Sequence, residues 1–156
     1  MKYLKPLLTF LILAAAIMIT HSQNAGKDSA TAPPKATATV IPATKVDAAF
    51  AKGMPLVENS DFKVHAARRD AAGIAELHAR DTDIFYILEG SATFVTGGTT
   101  IEPKEVAPDE IRGKEITGGE EHHLTKGDII IIPKGVPHWF KKVEPPLRYY
   151  VVKVTK

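Results

Sequence analysis

The stretch from Gly127 to His138 constrains the fold more than any other part of this 156-residue chain. After Gly127 and Asp128 come four successive isoleucines, the turn residues Pro133-Lys134-Gly135 and, after Val136-Pro137, a single histidine. β-Branched residues bounded by glycine and proline are typical of a short strand that ends in a turn. The pattern predicts a buried strand over residues 129–132. It also predicts a turn that fixes where the His138 imidazole points, at the start of the next strand.

The chain between residues 54 and 156 contains many short apolar runs separated by turn residues. Strands are predicted at residues 62–65, 84–88, 92–95, 129–132, 136–140 and 149–152, with turns at 89–91, 97–98 and 118–119. Gly97-Gly98 is a strong hairpin signal, and residues 103–115 are predicted to form an exposed loop or hairpin extension. Short strands at close spacing, without a long amphipathic helix, favour an all-β sandwich or barrel.

The N-terminal part has a different character. Lys2 and Lys5 precede an apolar run that is shorter than the ~20 residues needed to span a bilayer, and small residues then follow. This pattern predicts a signal peptide over residues 1–22, and hence a secreted or periplasmic protein without a stable membrane anchor. Residues 23–45 are mostly Ala, Thr, Pro, Ser and Lys, which predicts a disordered linker. The folded domain is expected over residues 46–156, opening with a short helical turn from an Asp47 N-cap to a stop at Gly53.

Charge and cysteine content exclude some kinds of partner and chemistry. The chain has 20 basic and 18 acidic residues, and removal of Lys2 and Lys5 with the leader would make the two counts equal. No clustered basic surface is evident, so a nucleic-acid partner is not expected. The absence of cysteine excludes disulfides and thiol chemistry, so stability must come from the hydrophobic core.

Two sequence motifs in this chain resemble those of the cupin family, whose domains are jelly-roll barrels. Gly127, Pro133, Gly135 and His138 stand at the spacing of the second cupin motif, with Lys142 in place of its final asparagine. In the first motif, His78, Asp83 and Gly90 match its second histidine, its glutamate and its last glycine, and Glu76 stands where its first histidine would be. The resemblance covers residues 46–156 and implies an all-β fold, a cupin-type double-stranded β-helix (jelly-roll) barrel with a short N-terminal helical turn.

The resemblance also implies a metal site. Residues i and i+2 of a strand share a face, so Glu76 and His78 can both face the barrel interior, where Asp83 and His138 would meet them. Divalent Mn, Fe, Ni or Zn accepts such mixed imidazole and carboxylate ligands. The alternatives are histidines hydrogen-bonded across a metal-free barrel, an Asp83 that caps a turn and a Glu76 that points to solvent.

Around this group, Phe85, Phe94 and Phe140 are predicted to close the mouth of the barrel. His123 is a further pocket candidate, and strand alternation turns only one of His122 and His123 inward. Arg80 and Arg68 are candidates for recognising an acidic ligand through bidentate contacts, against surface salt bridges as the alternative.

The chain is therefore predicted to be a secreted single-domain cupin that binds a divalent metal and a small oxygenated ligand. Cupin relatives include dioxygenases, isomerases and decarboxylases, so the fold alone does not choose a reaction, and enzymatic activity stays open. The alternative is a metal-free module that binds a small, sugar-like molecule without catalysis. Many cupins are dimers, so the resemblance also implies a possible homodimer.

Overall fold

The computed structural model describes residues 37–155, and the predicted signal peptide and most of the predicted linker lie outside these residues. One helix, α1, precedes eleven strands. The elements are α1 (Ala43–Lys52), β1 (Met54–Glu58), β2 (Phe62–Arg69), β3 (Ala75–His78), β4 (Asp81–Thr96), β5 (Thr99–Thr100), β6 (Lys104–Ala107), β7 (Glu110–Gly113), β8 (Ile116–Thr117), β9 (Glu120–Thr125), β10 (Ile129–Ile132) and β11 (His138–Thr155). The predicted all-β fold class and the short helix before the strands are confirmed.

The helix begins earlier than the sequence pattern indicated. Pro42 is its N-cap, and the carbonyl oxygen of Pro42 accepts the backbone N–H of Lys45 and of Val46. Asp47 therefore lies inside the helix and caps nothing, because a proline already fixes an extended backbone just before Ala43. The predicted stop is confirmed: Gly53 adopts a left-handed conformation, with φ of 63°.

Two long strands organise the barrel. β4 and β11 pair antiparallel over almost their whole length, from Asp81 opposite Thr155 to Thr96 opposite His138. On its other side, β4 pairs with β10 and β9, while β11 pairs with β2 and at one position with β3. The predicted segments at 136–140 and 149–152 are thus parts of one strand.

The predicted turn at residues 89–91 is wrong, because β4 continues through it. Gly90 has φ of 79° and lies against the backbone of the partner strand, where a Cβ would be 2.5 Å from the Pro146 carbonyl oxygen. The pairing of β4 with β11 slips at the same place, between Glu144 and Arg148. Gly90 therefore allows a close approach inside a continuous strand.

Gly97-Gly98 does form a turn, with positive φ at both residues, but it does not join paired strands. β5 pairs with β8, and Thr96 at the end of β4 pairs with Glu120 of β9. The hairpin prediction is wrong because this turn packs against the turn formed by Thr117, Gly118 and Gly119. A Cβ on Gly98 would lie 2.4 Å from the Thr117 carbonyl oxygen.

The predicted hairpin extension within residues 103–115 is confirmed as β6 and β7, which pair with each other. β7 also pairs with β3, so this hairpin extends the sheet beside the strand that carries Glu76 and His78.

The strand with four isoleucines is not buried throughout. Ile132 is buried, whereas Ile129 and Ile131 are 62% and 60% exposed. β10 pairs with β4 and forms part of the barrel wall. Successive side chains of a strand point to opposite faces, so those of β10 alternate between the core and solvent. The prediction of a fully buried strand is therefore wrong.

Candidate metal centre in the barrel

His138, the first residue of β11, is fixed by its own turn. Its Nδ1–H donates a hydrogen bond to the Val136 carbonyl oxygen at 3.2 Å. The side chain is buried between the rings of Phe85 and Phe94, whose centroids lie 6.0 and 5.9 Å from that of the imidazole. The bond at Nδ1 leaves Nε2 as the atom with a free lone pair, and that atom is buried without a hydrogen-bond partner.

Glu76 and His78 reach the same place from β3. One donor atom from each of Glu76, His78 and His138 lies within 4.8 Å of the others. His78 Nε2, like that of His138, is buried and has no hydrogen-bond partner. The alternation of side chains along β3 therefore places Glu76 and His78 on the same face, next to His138.

Burial keeps both imidazoles in the neutral form. Desolvation is the largest influence on His78 and lowers its pKa, and the Lys153 ammonium lowers it further. Desolvation likewise lowers the pKa of His138, against the opposing effect of the Asp83 carboxylate. A neutral imidazole is the form that ligates a metal, so these two groups are already in that form at neutral pH.

Asp83 lies beside this group but is held by a cation of the protein. Its side chain is almost completely buried, and its Oδ2 is 3.5 Å from His78 Nε2 and 3.7 Å from His138 Nε2. The shortest contact of Oδ2, however, is with Lys153 Nζ at 2.6 Å. Asp83 is thus in the predicted place, and it is engaged as the partner of Lys153.

Lys153 was not among the residues that the sequence pointed to. Tyr149, Val151 and Lys153 alternate along β11, and the first two are buried. The period of two therefore carried a signal that Lys153 faces inward. Its register opposite Asp83, a pairing between distant parts of the chain, is what makes the ion pair.

β7 adds two further charged residues that sequence reasoning missed. Its register places Glu110 opposite His78 and Arg112 opposite Glu76. Arg112 forms an ion pair with Glu110 at 2.6 Å and lies 4.0 Å from Glu76 Oε1. Glu76 is therefore only weakly engaged, which leaves its carboxylate available to a cation.

The aromatic residues do not close a mouth. Phe94 and Phe140 belong to the buried core, and Phe85 stacks on Phe140 at 5.7 Å. Phe85 also lines a cavity of about 160 Å³, together with charged and polar side chains. The expected apolar mouth is corrected, since these rings form the packed interior behind the histidines.

The opening itself is polar. A second cavity, of about 390 Å³, is lined mainly by charged groups and two histidines: Glu58, Lys63, His65, His78, Arg80, Asp81, Asp109, Glu110 and Lys153. Arg80 lies at this rim as predicted, but its side chain is largely exposed and 3.8 Å from Asp109. His65 and Lys153 line both cavities.

His123 lies outside the barrel interior, contrary to its prediction as a pocket residue. Its side chain is exposed, whereas Leu124 is buried and His122 is half-buried. His122 Nε2 is hydrogen-bonded to Thr96 Oγ1 at 2.8 Å. Alternation along β9 turns His122 and Leu124 inward, so the inward histidine is His122 and not His123.

A sequence profile described as Cupin matches residues 30–156, and the chain belongs to the cupin family. A search of the curated proteins found no match. Among solved structures, a Bacillus halodurans protein is 13% identical, with a TM-score of 0.56, over 79% of this chain and 85% of that one.

Two further solved structures are similar to this chain. The cupin domain of Schizosaccharomyces pombe Cnp3 has 15% identity and a TM-score of 0.49, over 67% of this chain and 60% of that one. KdgF from Halomonas sp. has 16% identity and a TM-score of 0.45, over 66% and 78%. At 13% identity, the likeness to the Bacillus halodurans protein shows the fold alone.

Glu76, His78 and His138 fit a divalent metal in ligand type and in protonation. Two neutral imidazoles and a carboxylate, close together and partly buried, suit Mn, Fe, Ni or Zn.

In residues 37–155, no helix is long and apolar enough to cross a membrane.

Proposed function

We propose that this chain is an exported cupin that holds one divalent metal ion with Glu76, His78 and His138 and binds a small oxygenated ligand beside it. The observation that carries the proposal is the pair of buried Nε2 atoms without hydrogen-bond partners, with a carboxylate within reach. A buried polar atom without a partner costs about 1–3 kcal/mol. Two such atoms facing one carboxylate are explained if all three groups bind the same cation.

The protein contributes the shape and charge of this site. The Val136 carbonyl oxygen sets the tautomer of His138, and the packing of Phe85 and Phe94 fixes the ring. A metal bound there would act as a Lewis acid that orients or polarises an oxygen of the ligand. Three protein ligands would leave coordination positions for that oxygen or for water, as an oxygenase or an isomerase requires.

The ion pair between Asp83 and Lys153 favours a second candidate function. Lys153 Nζ, 2.6 Å from Asp83 Oδ2, already supplies positive charge next to the histidines. A barrel neutralised in this way can bind a small sugar-like molecule through hydrogen bonds to His78 and His138, without a metal and without catalysis.

Metal content separates the two functions. Mature protein purified without a chelating tag is analysed by mass spectrometry, beside His78→Ala and His138→Ala. His123→Ala is the matched control, since that side chain is exposed on the outer face. We expect about one divalent ion per chain in the wild type and in the control, and loss of the ion in the other two variants while they remain folded.

Absence of metal in the wild type, even after incubation with Mn, Fe, Ni or Zn, would contradict the metal proposal and leave the metal-free binding module. Equal loss of the ion in His123→Ala would show that the site is not the one proposed.

Export and dimer formation remain part of the proposal. The dimer is supported by an apolar patch on the outer face of the barrel, where Ile129, Ile131 and Tyr86 are 62%, 60% and 42% exposed. Such a patch is suited to an interface with a second copy. Light scattering of the mature chain tests it: a dimer is expected, converted to a monomer by Ile131→Lys, and a monomeric wild type would contradict it.

A further inference from the structure

Arg69, at the end of β2, is held in place by three contacts and is half-buried. Its Nε–H donates a hydrogen bond to Tyr149 Oη at 2.9 Å. Its guanidinium carbon lies 4.8 Å from the centre of the Phe140 ring. The space that Nη1 occupies is left free by Gly73, where a Cβ would be 2.7 Å from that nitrogen. These contacts hold the guanidinium in place before any ligand binds.

Arg69 is also the one arginine among residues 37–155 that has no carboxylate partner within ion-pair distance. The other four are paired: Arg68 with Asp70, Arg80 with Asp109, Arg112 with Glu110 and Arg148 with Glu89. Of the three guanidinium nitrogens of Arg69, only Nε has a hydrogen-bond partner among the described residues. A planar guanidinium with its Nη donors unused is the group that binds a carboxylate in a bidentate manner.

The smaller of the two cavities brings Arg69 beside Glu76, one member of the candidate metal centre. It has a volume of about 160 Å³ and is lined by Arg69, Glu76 and Asp83, among others. Pockets for drug-sized ligands are about 300–1,000 Å³, so its occupant must be small. Lys153, which also lines this cavity, is already paired with Asp83. Of the two cations that line the cavity, Arg69 is therefore the one without an ion-pair partner. The other carboxylate of the cavity, Glu76, belongs to the candidate metal centre.

We propose that Arg69 is the anchoring residue for the carboxylate of a small organic acid, whose other oxygen atoms reach the group of Glu76, His78 and His138. This inference rests on the proposed function, because the metal would bind those other oxygens. A monocarboxylate end matches the single charge of the guanidinium. A phosphate dianion would add a second negative charge beside Glu76 and Asp83, so the carboxylate is the favoured ligand.

The position of Arg69 follows from strand alternation. Arg68 and Arg69 are consecutive in β2, and consecutive side chains point to opposite faces of a sheet. Arg68 lies on the exposed side, paired with Asp70. Arg68 and Arg80, the two arginines that the sequence suggested for ligand recognition, are both exposed and both paired with an aspartate.

Calorimetric titration of a matched pair of probes, lactate and lactamide, tests the inference on the full mature chain, both Mn-loaded and metal-free. Malate and inorganic phosphate are titrated as further probes. The variants are Arg69→Gln, Arg69→Lys and, as the matched control from the outer face, Arg68→Gln. Circular dichroism and metal content are measured for each protein, so that a loss of folding or of metal is seen separately.

In the wild type we expect lactate to bind at least roughly 10-fold more tightly than lactamide, since hydrogen bonds to charged groups favour the acid by about 10- to 100-fold. Arg69→Gln should abolish this preference, Arg69→Lys should keep part of it, and Arg68→Gln should keep all of it, with metal content unchanged in all three.

Three results would overturn the assignment. Neither lactate nor malate binds, or lactate and lactamide bind with equal affinity, or Arg69→Gln keeps the preference for lactate over lactamide. Tighter binding of phosphate than of either acid would also overturn it. If the wild type takes up no Mn but keeps a preference for acids that depends on Arg69, the proposed metal function fails and the carboxylate site stands.

Discussion

The two ends of the barrel interior differ sharply in chemistry, although β4 runs through both. At the polar end, Asp83 is 1% exposed and lies among His78, His138 and Lys153. At the apolar end, Ile87 is fully buried on the same face of the same strand, with Leu124 and Leu147 in its cluster. Burial of Ile87 favours folding, whereas burial of a carboxylate and two imidazoles costs free energy unless they are paired. The comparison indicates that the apolar end stabilises the fold, whereas the polar end costs free energy that binding of the proposed metal would offset.

The largest effect is expected at the apolar end. Ile87→Ala removes a fully buried side chain and leaves a cavity, which should lower the free energy of unfolding by about 2–5 kcal/mol. Urea unfolding measures this change. The metal content of the protein that remains folded should not change, and a loss of metal there would show that the two ends are not separate.

A somewhat smaller effect is expected for Lys153→Met at the polar end. This change leaves Asp83 buried without its cation, which should destabilise the metal-free protein by about 3 kcal/mol. Urea unfolding with and without Mn measures it. Because the free carboxylate can then join the metal ligands, metal should stabilise this variant more than it stabilises the wild type.

The matched control is Lys141→Met, whose exposed pair with Glu121 should contribute less than about 1 kcal/mol. Equal stabilisation of Lys153→Met and the wild type by metal would contradict the idea that Lys153 withholds Asp83 from the metal.

A change of about 1 kcal/mol or less is expected when a candidate ligand is replaced by an apolar residue. His78→Leu removes a buried nitrogen that has no hydrogen-bond partner, so the metal-free protein should lose little stability or gain some. Thermal unfolding measures it, and metal should no longer raise the melting temperature. A loss comparable to that of Ile87→Ala would show that His78 holds the fold together.

The last prediction is a dependence of stability on pH. The pKa values of His78 and His138 are lowered in the folded state by burial, so below about pH 6.5 the unfolded chain binds protons that the folded chain does not. Stability of the metal-free protein should therefore fall as the pH drops below about 6.5, by at most about 1.4 kcal/mol per pH unit for each histidine. Urea unfolding between pH 7 and pH 5 should show a shallower slope in His78→Leu, and an unchanged slope would contradict the assignment to His78.

Sequence patterns predicted the polar end through local spacing. The turn after residue 132 fixed the place of His138, and the i, i+2 rule put Glu76 and His78 on one face. Lys153 and Glu110 reach the site only through the pairing of β11 with β4 and of β7 with β3. Such registers join residues that are distant along the chain, so local patterns do not reveal them.

For the apolar strand β10, the sequence predicts the strand but not which of its side chains are buried. Because residues 129–132 are all isoleucine, their sequence contains no alternation that separates the buried Ile132 from the exposed Ile131. The strand itself was predicted correctly from its β-branched residues and its flanking turns. Which of its side chains are buried depends on what lies on either side of the sheet, and composition does not show this.

X-ray absorption spectroscopy of the zinc-loaded mature protein tests the metal centre most directly, because it counts the imidazoles bound to the ion. We predict two imidazole nitrogens at about 2.0–2.1 Å in the wild type, with oxygen atoms completing the shell, and no such shell in His138→Ala, which is expected to lose the ion. A shell with fewer than two imidazoles, or one that is identical in the wild type and in His138→Ala, would contradict a metal centre built on Glu76, His78 and His138.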